Sequence, residues 1–137
     1  SLFSKCKILM ESDIPDNIKI ITSVYPEDIS IVADSAQVEH ILINLIKNAI
    51  EALSDKGNGT IQLKAFYTDD AVLVQVEDNG TGISGDIIED IFVPFYTTKK
   101  HGSGIGLSLS KQIMQNHEGT ISVNSAPDKG SVFTLKF

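Results

Sequence analysis

The apolar positions of this chain recur at two spacings, one typical of helices and the other of strands. Between residues 36 and 53 they recur every three or four positions, which predicts a long helix lying on a hydrophobic core. These positions are Val38, Ile41, Leu42, Leu45, Ile46, Ala49, Ile50 and Leu53. Asp34 or Ser35 is suited to cap the start of this helix, and Gly57-Asn58-Gly59 to end it.

Apolar runs rich in β-branched residues predict strands on both sides of that helix. They cover residues 18–24, 29–33, 61–67, 71–77, 120–124 and 131–137. Thr68-Asp69-Asp70 separates two of these runs and predicts an antiparallel hairpin. Helical spacing also occurs at residues 1–12, 84–92 and 105–116, whereas residues 93–104 form a long loop that is a candidate lid. The pattern predicts an α+β fold, a two-layer α/β sandwich with helices covering one face of a mixed, mostly antiparallel sheet.

Composition narrows the class of protein. A length of 137 residues suits a single domain, residues 1–137, with one core. The net charge of −7 argues against a nucleic-acid partner, and any phosphate ligand must be held by local features. No apolar run approaches the ~18 residues of a membrane helix. The single cysteine, Cys6, fits a reducing compartment, so we expect a cytoplasmic fragment without direct membrane contact, even if the full-length protein is membrane-anchored.

Two glycine clusters are the first sign of function. Asp78-Asn79-Gly80-Thr81-Gly82 follows an apolar run, and Gly102-Ser103-Gly104-Ile105-Gly106-Leu107 opens a helical pattern. Glycine permits close approach of the backbone to a ligand, and the free N–H groups of a helix start attract phosphate. Asp78 is able to accept a hydrogen bond from an exocyclic amine such as that of adenine. Taken singly, the first cluster is equally a turn between strands, and the second a helix entry or hinge.

Two amides and a basic segment add to this picture. Asn44 and Asn48 lie four residues apart within the apolar stripe of the long helix, where a buried amide needs a partner. Either a hydrated Mg²⁺, which carboxamide oxygens suit, or neighbouring backbone meets that need. Lys99, Lys100 and His101 bring positive charge beside the second glycine cluster, although such lysines are equally often solvated.

Other catalytic motifs are absent from the sequence. No Cys/His cluster has zinc-site spacing, and neither a phosphate-loop motif nor a serine nucleophile elbow occurs. His117-Glu118 superficially matches a phosphoacceptor histidine with an acidic neighbour. Gly119 and a strand follow at once, so no exposed helix is predicted to present His117, and we do not assign it that role.

Four blocks in order resemble the ATP-binding catalytic domain of sensor histidine kinases, in the GHKL ATPase superfamily. Residues 44–49 resemble its N box, 78–83 its G1 box, 92–99 its F box and 102–107 its G2 box, and 130–133 match its last strand. The resemblance covers about residues 30–137. The Phe95-Tyr96-Thr97-Thr98-Lys99 segment is most similar to nitrogen-regulatory and sporulation kinases.

The resemblance implies the Bergerat ATP-binding fold with an ATP lid. It implies that Asn48 coordinates Mg²⁺, that Asn44 supports the phosphates, and that both amides belong to the catalytic machinery. Asp78 would accept from the adenine amine, with Ser131 joined to it through water. The other residues implied to bind ATP shape the pocket, hold the phosphates or anchor the lid: Gly80, Gly82, Ile83, Phe92, Phe95, Thr98, Lys99, Gly102, Ser103, Gly104, Ile105, Gly106 and Leu107.

The implied reaction is transfer of the ATP γ-phosphoryl group to a histidine on an upstream dimerisation hairpin, for relay to a response regulator receiver domain. Residues 1–15 would be a remnant of the connection to that hairpin. The alternatives are a nucleotide-binding pseudokinase or interaction module, and a GHKL ATPase or anti-sigma serine kinase. Members of the last group carry a glutamate base where Asn44 stands.

Two departures from the family pattern are visible. Glu118-Gly119 stands where Gly-Gly is frequent, which is expected to alter only a turn. Glu51 stands where many kinases carry a basic residue, so the sequence does not support a charge contact to phosphate at that position.

Overall fold

A computed structural model describes residues 2–54, 57–68, 70–94 and 106–137. The helices are α1 (Leu2–Leu9), α2 (Ser35–Ala52) and α3 (Gly106–Asn116), and a 3₁₀ turn at Glu11–Asp13 follows α1. The strands are β1 (Ile18–Tyr25), β2 (Gly59–Tyr67), β3 (Val72–Asp78), β4 (Thr120–Ser125) and β5 (Ser131–Lys136). They form one sheet in the order β1-β2-β3-β5-β4. Because β1 is parallel to β2 and every other pair of neighbouring strands is antiparallel, the sheet is mixed and mostly antiparallel, as predicted.

The core lies between the helices and one face of the sheet. Alternate residues of β2, among them Ile61 and Leu63, are fully buried against the apolar stripe of α2. The intervening residues point to the other face, where Lys64 pairs with Glu77 at 2.9 Å. This alternation is the pattern of a sheet with one packed and one solvated face. It confirms the predicted two-layer arrangement.

The long helix begins as predicted but ends earlier. The Asp34 side chain accepts a hydrogen bond from the Gln37 amide at 3.1 Å, which is an N-cap. The helix ends at Ala52, and the Leu53 N–H donates to the Ala49 carbonyl at 3.2 Å. The predicted stop at residues 57–59 is therefore wrong, since Gly59 already begins β2 and has no room for a Cβ beside the Leu53 side chain.

Two predicted elements differ in the structure. Residues 29–33 are not a strand: Ile29, Ile31 and Ala33 pack on the core, but no described strand pairs with them. Residues 84–92 are not a helix but a series of turns, in which Ile87 and Ile88 both donate to the Ser84 carbonyl at 3.1 Å. In both segments the apolar spacing reports which side faces the core, and does not report which backbone hydrogen bonds form.

Candidate functional site

One face of α2 joins the two ends of the candidate site. Asn44, Asn48 and Ala52 are four residues apart along this helix, so they lie in one row. The row spans about 12 Å, because each residue advances a helix by ~1.5 Å. Ala52 contacts the loop that follows β3, and Asn44 contacts the first residue of α3. Gly80 and Gly106, one from each predicted glycine cluster, thus lie at opposite ends of this row.

At the β3 end, the structure buries the predicted base-binding carboxylate. Asp78 is the last residue of β3 and is 7% exposed. Its Oδ1 accepts a hydrogen bond from the Gly80 amide at 2.9 Å. Gly80 lies against the Ala52 carbonyl oxygen, which a Cβ would approach to 2.5 Å, and the Thr81 amide donates to that same oxygen at 3.2 Å. The end of α2 therefore holds the loop that carries Asp78.

A second turn holds the same loop from the other side. Gly82 has φ +73°, and a Cβ on it would collide with the Ala126 carbonyl oxygen. Gly130 has φ +77° and lies against the backbone of Asp78 in the same way. The Asp128 amide donates to the Thr81 carbonyl at 2.7 Å. This loop does not connect neighbouring strands, because β3 pairs with β2 and β5, so the alternative of a simple hairpin turn is wrong.

At the α3 end, the two helices meet at a buried amide. Asn44 Nδ2 is buried and has no hydrogen-bond partner among the residues that the structure describes. A Cβ on Gly106 would collide with the Asn44 side chain, so only glycine fits at the start of α3 in this packing. A buried unpaired amide costs about 1–3 kcal/mol. Asn44 is thus a donor in need of an acceptor beside a helix N-terminus, which attracts anions.

Asn48 lies midway along the row and is half-buried. The metal role of Asn48 stays a prediction. No group of three or more acidic, histidine or cysteine side chains able to hold a metal occurs within the described residues. The carboxamide oxygen of Asn48 is of the ligand type that Mg²⁺ accepts.

Aromatic packing fixes the segment that precedes residue 95. The Phe92 ring meets the buried Phe133 ring edge to face, with centroids 6.4 Å apart and planes at 81°. Lys111 Nζ of α3 lies 5.9 Å from the centre of the Phe92 ring, which permits a cation–π interaction. These contacts hold Phe92 against β5 and α3, and the lid-anchoring role of Phe92 stays a prediction. Lys111 was not singled out from the sequence, because its helical position is that of an ordinary exposed lysine.

The remaining predicted residues divide into three groups. Ile83 and Leu107 are half-buried and pack against the core. Ser131 is buried and lies opposite Asp78 in the pairing of β3 with β5. The others fall outside the described residues: Phe95, Thr98, Lys99, Gly102, Ser103, Gly104 and Ile105.

One residue of this region was missed by the sequence reasoning. Ser125 is the last residue of β4. Its Oγ accepts a hydrogen bond from the Ile83 amide at 2.8 Å and lies 2.8 Å from Ser131 Oγ. Its only sequence signal is a polar residue on the core-facing side of a strand, just before a turn containing proline. That signal is shared with many strand ends that bind nothing.

His117 has a structural role in this fold. Its Nδ1 lies 2.8 Å from the Ile113 carbonyl oxygen, and its Nε2 accepts from the Asp34 amide at 3.0 Å. The ring therefore joins the end of α3 to the start of α2. With both nitrogens engaged, His117 is a poor nucleophile, as expected from its place beside a strand.

Comparison with known proteins assigns the class. Residues 33–137 match the family described as histidine kinase-, DNA gyrase B- and HSP90-like ATPases. The chain belongs to this family, and the proteins to which it is similar within it are sensor histidine kinases.

The solved catalytic domain of the histidine kinase ThkA is 33% identical, with a TM-score of 0.87, over 99% of this chain and 90% of that one. Its fold, the Bergerat fold of histidine kinase catalytic domains, is therefore the fold of this chain. Sporulation kinase A of Bacillus subtilis is 38% identical over 137 residues, which are 99% of this chain and 22% of that protein. ThkA is also solved in complex with the response regulator protein TrrA. The ThkA chain of that complex is 30% identical, with a TM-score of 0.81, and the match covers 99% of this chain and 39% of the ThkA chain.

The chain spans about a fifth of the length of the curated relatives that it matches. No helix among the described residues is long and apolar enough to cross a membrane.

Proposed function

We propose that this chain binds Mg-ATP and donates the γ-phosphoryl group to a histidine on a separate dimerisation domain. The observation that carries the proposal is the pair of buried polar groups at opposite ends of one α2 face. Asp78 supplies an acceptor at one end. Asn44 Nδ2, which has no hydrogen-bond partner among the described residues, supplies a donor at the other. The loop that follows Asp78 lies against Ala52, which is about 12 Å from Asn44 along the axis of α2. This spacing suits a ligand with a base at one end and phosphates at the other.

Each residue then has a specific task. Asp78 accepts a hydrogen bond from the adenine amine, and Gly80 and Gly82 keep the loop close to the base. Asn44 donates to a phosphate oxygen beside the start of α3, where the helix dipole adds favourable charge. Asn48 would hold Mg²⁺ through its carboxamide oxygen, and Mg²⁺ bound there would supply positive charge to neutralise the phosphates. The tasks of Lys99 and of residues 102–105 rest on the family resemblance alone.

The nucleophile comes from another domain in this proposal. His117 is committed to α2 and α3, and phosphoryl transfer depends chiefly on positioning and on charge neutralisation. We assign residues 1–137 to one cytoplasmic catalytic domain, with residues 1–15 as the connection to a dimerisation hairpin. A response regulator receiver domain is the proposed final acceptor, which the complex of the relative ThkA with its regulator supports.

The decisive experiment supplies the missing domain. The chain is mixed with Mg-ATP and with the hairpin encoded upstream of it, and acid-labile phosphate is measured on the hairpin. We expect phosphate on the hairpin only when both parts are present, and none on the chain alone. ATP binding without any transfer to the hairpin would contradict kinase activity and favour the pseudokinase alternative.

The Asp78→Asn variant tests the proposed contact with the base. It replaces the carboxylate by a carboxamide, which removes the charge and preserves the shape. We expect calorimetry to show ATP binding weaker by about 1.5–3 kcal/mol, the range for a hydrogen bond to a charged group. Unchanged affinity in this variant would rule out the proposed role of Asp78 with the base.

A further inference from the structure

Three polar side chains form a row across the sheet at the proposed base end. Ser125 of β4 lies opposite Ser131 of β5, and Ser131 lies opposite Asp78 of β3. Residues directly opposite in antiparallel strands share one face, with Cβ atoms about 4.5–5.5 Å apart. Ser131 and Asp78 are only 5% and 7% exposed. Each hydroxyl proton in this row therefore has few available acceptors.

The hydrogen bonds of Ser125 determine where these protons lie. Ser125 Oγ is 2.8 Å from each of three partners: the Ile83 amide nitrogen, the Gly130 carbonyl oxygen and Ser131 Oγ. A hydroxyl group donates one hydrogen bond and accepts up to two. Since an amide N–H only donates and a carbonyl only accepts, the Ser125 proton goes to Gly130. Ser131 must then be the donor to Ser125, and its own proton points away from Asp78.

We propose that Ser125 is a positioning residue for base recognition, because it accepts the Ser131 proton and so keeps that hydroxyl from competing with the adenine amine for the Asp78 carboxylate. Ser125 acts through Ser131 and does not itself touch the nucleotide. The inference rests on the proposed function, in which Asp78 is the acceptor for the base. It adds a reason why the carboxylate is not occupied by the neighbouring hydroxyl.

Loss of the Ser125 hydroxyl has a specific consequence. Ser131 then lacks its acceptor, and a buried hydroxyl without a partner is unfavourable. Asp78, opposite Ser131 in the β3–β5 register, then offers a charged acceptor on the same face of the sheet. A hydroxyl donating there competes with the ligand amine for the same oxygens. Recognition of the amino group should weaken more than recognition of the rest of the nucleotide.

The test compares two ligands on a matched pair of variants. Ser125→Thr and Ser125→Val have nearly the same shape and differ in one hydroxyl group. ATP is compared with purine riboside triphosphate, which carries hydrogen in place of the 6-amino group. The measured quantity is the ratio of the two dissociation constants from calorimetry, at a temperature where thermal unfolding shows every variant to be folded.

We expect the preference for ATP in Ser125→Val to be lower than in the wild type by about threefold to tenfold, the size of one neutral hydrogen bond. Ser125→Thr should keep the wild-type preference. Ser125→Ala should behave like valine, and should lose its effect on the ratio in a Ser131→Ala background. This double variant also covers the case in which valine prevents folding.

A merely structural role for Ser125 predicts a different result, in which both ligands bind more weakly by the same factor. If the ratio of the two dissociation constants is unchanged in Ser125→Val and Ser125→Ala, the inference is wrong and the proposed function stays intact. The same holds if Ser125→Thr loses as much of the preference for ATP as Ser125→Val does. Failure of the wild type to bind ATP would instead overturn the proposed function. Equal binding of the two ligands by the wild type would overturn the role of Asp78.

Discussion

At the scale of single residues, Gly82 is required by the backbone packing and also lies in the loop proposed to bind the base. Its φ of +73° belongs to the left-handed region that residues with a Cβ rarely adopt. Its missing side chain also leaves room for the Ala126 carbonyl oxygen. The loop after Asp78 and the turn between β4 and β5 are thereby held together backbone to backbone. Gly82 is required for the shape of the site even before a ligand binds.

We expect Gly82→Ala to lower the free energy of unfolding by about 2–4 kcal/mol, because the backbone strain and the collision occur together. ATP affinity should fall as well, since the loop carrying Asp78 must move. Gly85→Ala is the matched control, because a Cβ there meets no atom within 4 Å. Urea unfolding should show a change below about 1 kcal/mol for the control. Similar losses in the two variants would contradict this account of Gly82.

For the loop after β3, the sequence predicts which residues lie together but not the contacts that require glycine there. Asp78, Gly80 and Gly82 were singled out as a ligand loop, and they do lie together beside the end of α2. Gly106 was assigned to phosphate binding, yet its packing against Asn44 is an equally strong reason for glycine. A sequence shows that a position lacks a side chain. It does not show which distant neighbour needs the space.

At the scale of elements, the helices and hairpins with strong periodicity agree with the sequence. The cap at Asp34 and the antiparallel pairing of β2 with β3 follow from local signals, an N-cap residue and a short polar turn. Residues 29–33 and 84–92 differ because their apolar spacing is satisfied by packing alone. No local signal indicates whether a neighbouring strand is available to pair with such a segment.

The C-terminus of α3 offers a test at this scale. Glu118 follows the helix with φ +59°, a conformation in which glycine is usual and other residues are strained. The Gly119 amide donates to the Met114 carbonyl at 2.8 Å, which closes the helix end. Glu118→Gly should therefore raise the free energy of unfolding by about 1 kcal/mol, measured by urea denaturation.

Two controls separate backbone strain from other effects at this helix end. Glu118→Gln removes the charge but keeps the strained backbone, so its stability should stay within about 0.5 kcal/mol of the wild type. Gln115 lies on the exposed side of α3, in regular helical conformation. Gln115→Gly should therefore destabilise the protein by about 1 kcal/mol, the opposite of the effect expected at Glu118. Stabilisation by Glu118→Gln equal to that by Glu118→Gly would show that charge, not conformation, is the cause.

At the scale of the whole molecule, the sheet order was beyond the reach of local patterns. Strands β1 and β2 pair in parallel although the whole of α2 lies between them in the sequence. Strand β5 lies between β3 and β4 in the sheet. Hairpin signals identify neighbours in sequence, but the insertion of β5 beside β3 depends on burial of the assembled core. That insertion brings Ser131 opposite Asp78, so this pair of the candidate site comes together only in the folded sheet.

The attachment of α1 to this core makes global stability sensitive to alkaline pH. Cys6 of α1 is fully buried, and burial, followed by the charge of Glu39, raises the pKa of its thiol from 9.0 to about 11. Below pH 9 the thiol is neutral in the folded and unfolded chains, so its contribution to stability is complete. Between pH 9 and 11 the unfolded chain loses this proton first, and stability must fall as pH rises.

We expect the wild type to lose about 1 kcal/mol of unfolding free energy between pH 8 and pH 10 that Cys6→Ala does not lose. The variant is less stable at pH 8 because it leaves a cavity, but that deficit does not depend on pH. Urea unfolding of both proteins at each pH gives the comparison, because pH effects common to the two proteins cancel in the difference. A stability difference that stays constant from pH 8 to pH 10 would mean that α1 opens easily enough for the thiol to ionise without unfolding the sheet. The helix at the proposed junction with the dimerisation domain would then be a separate, weakly attached unit and not part of the cooperative core.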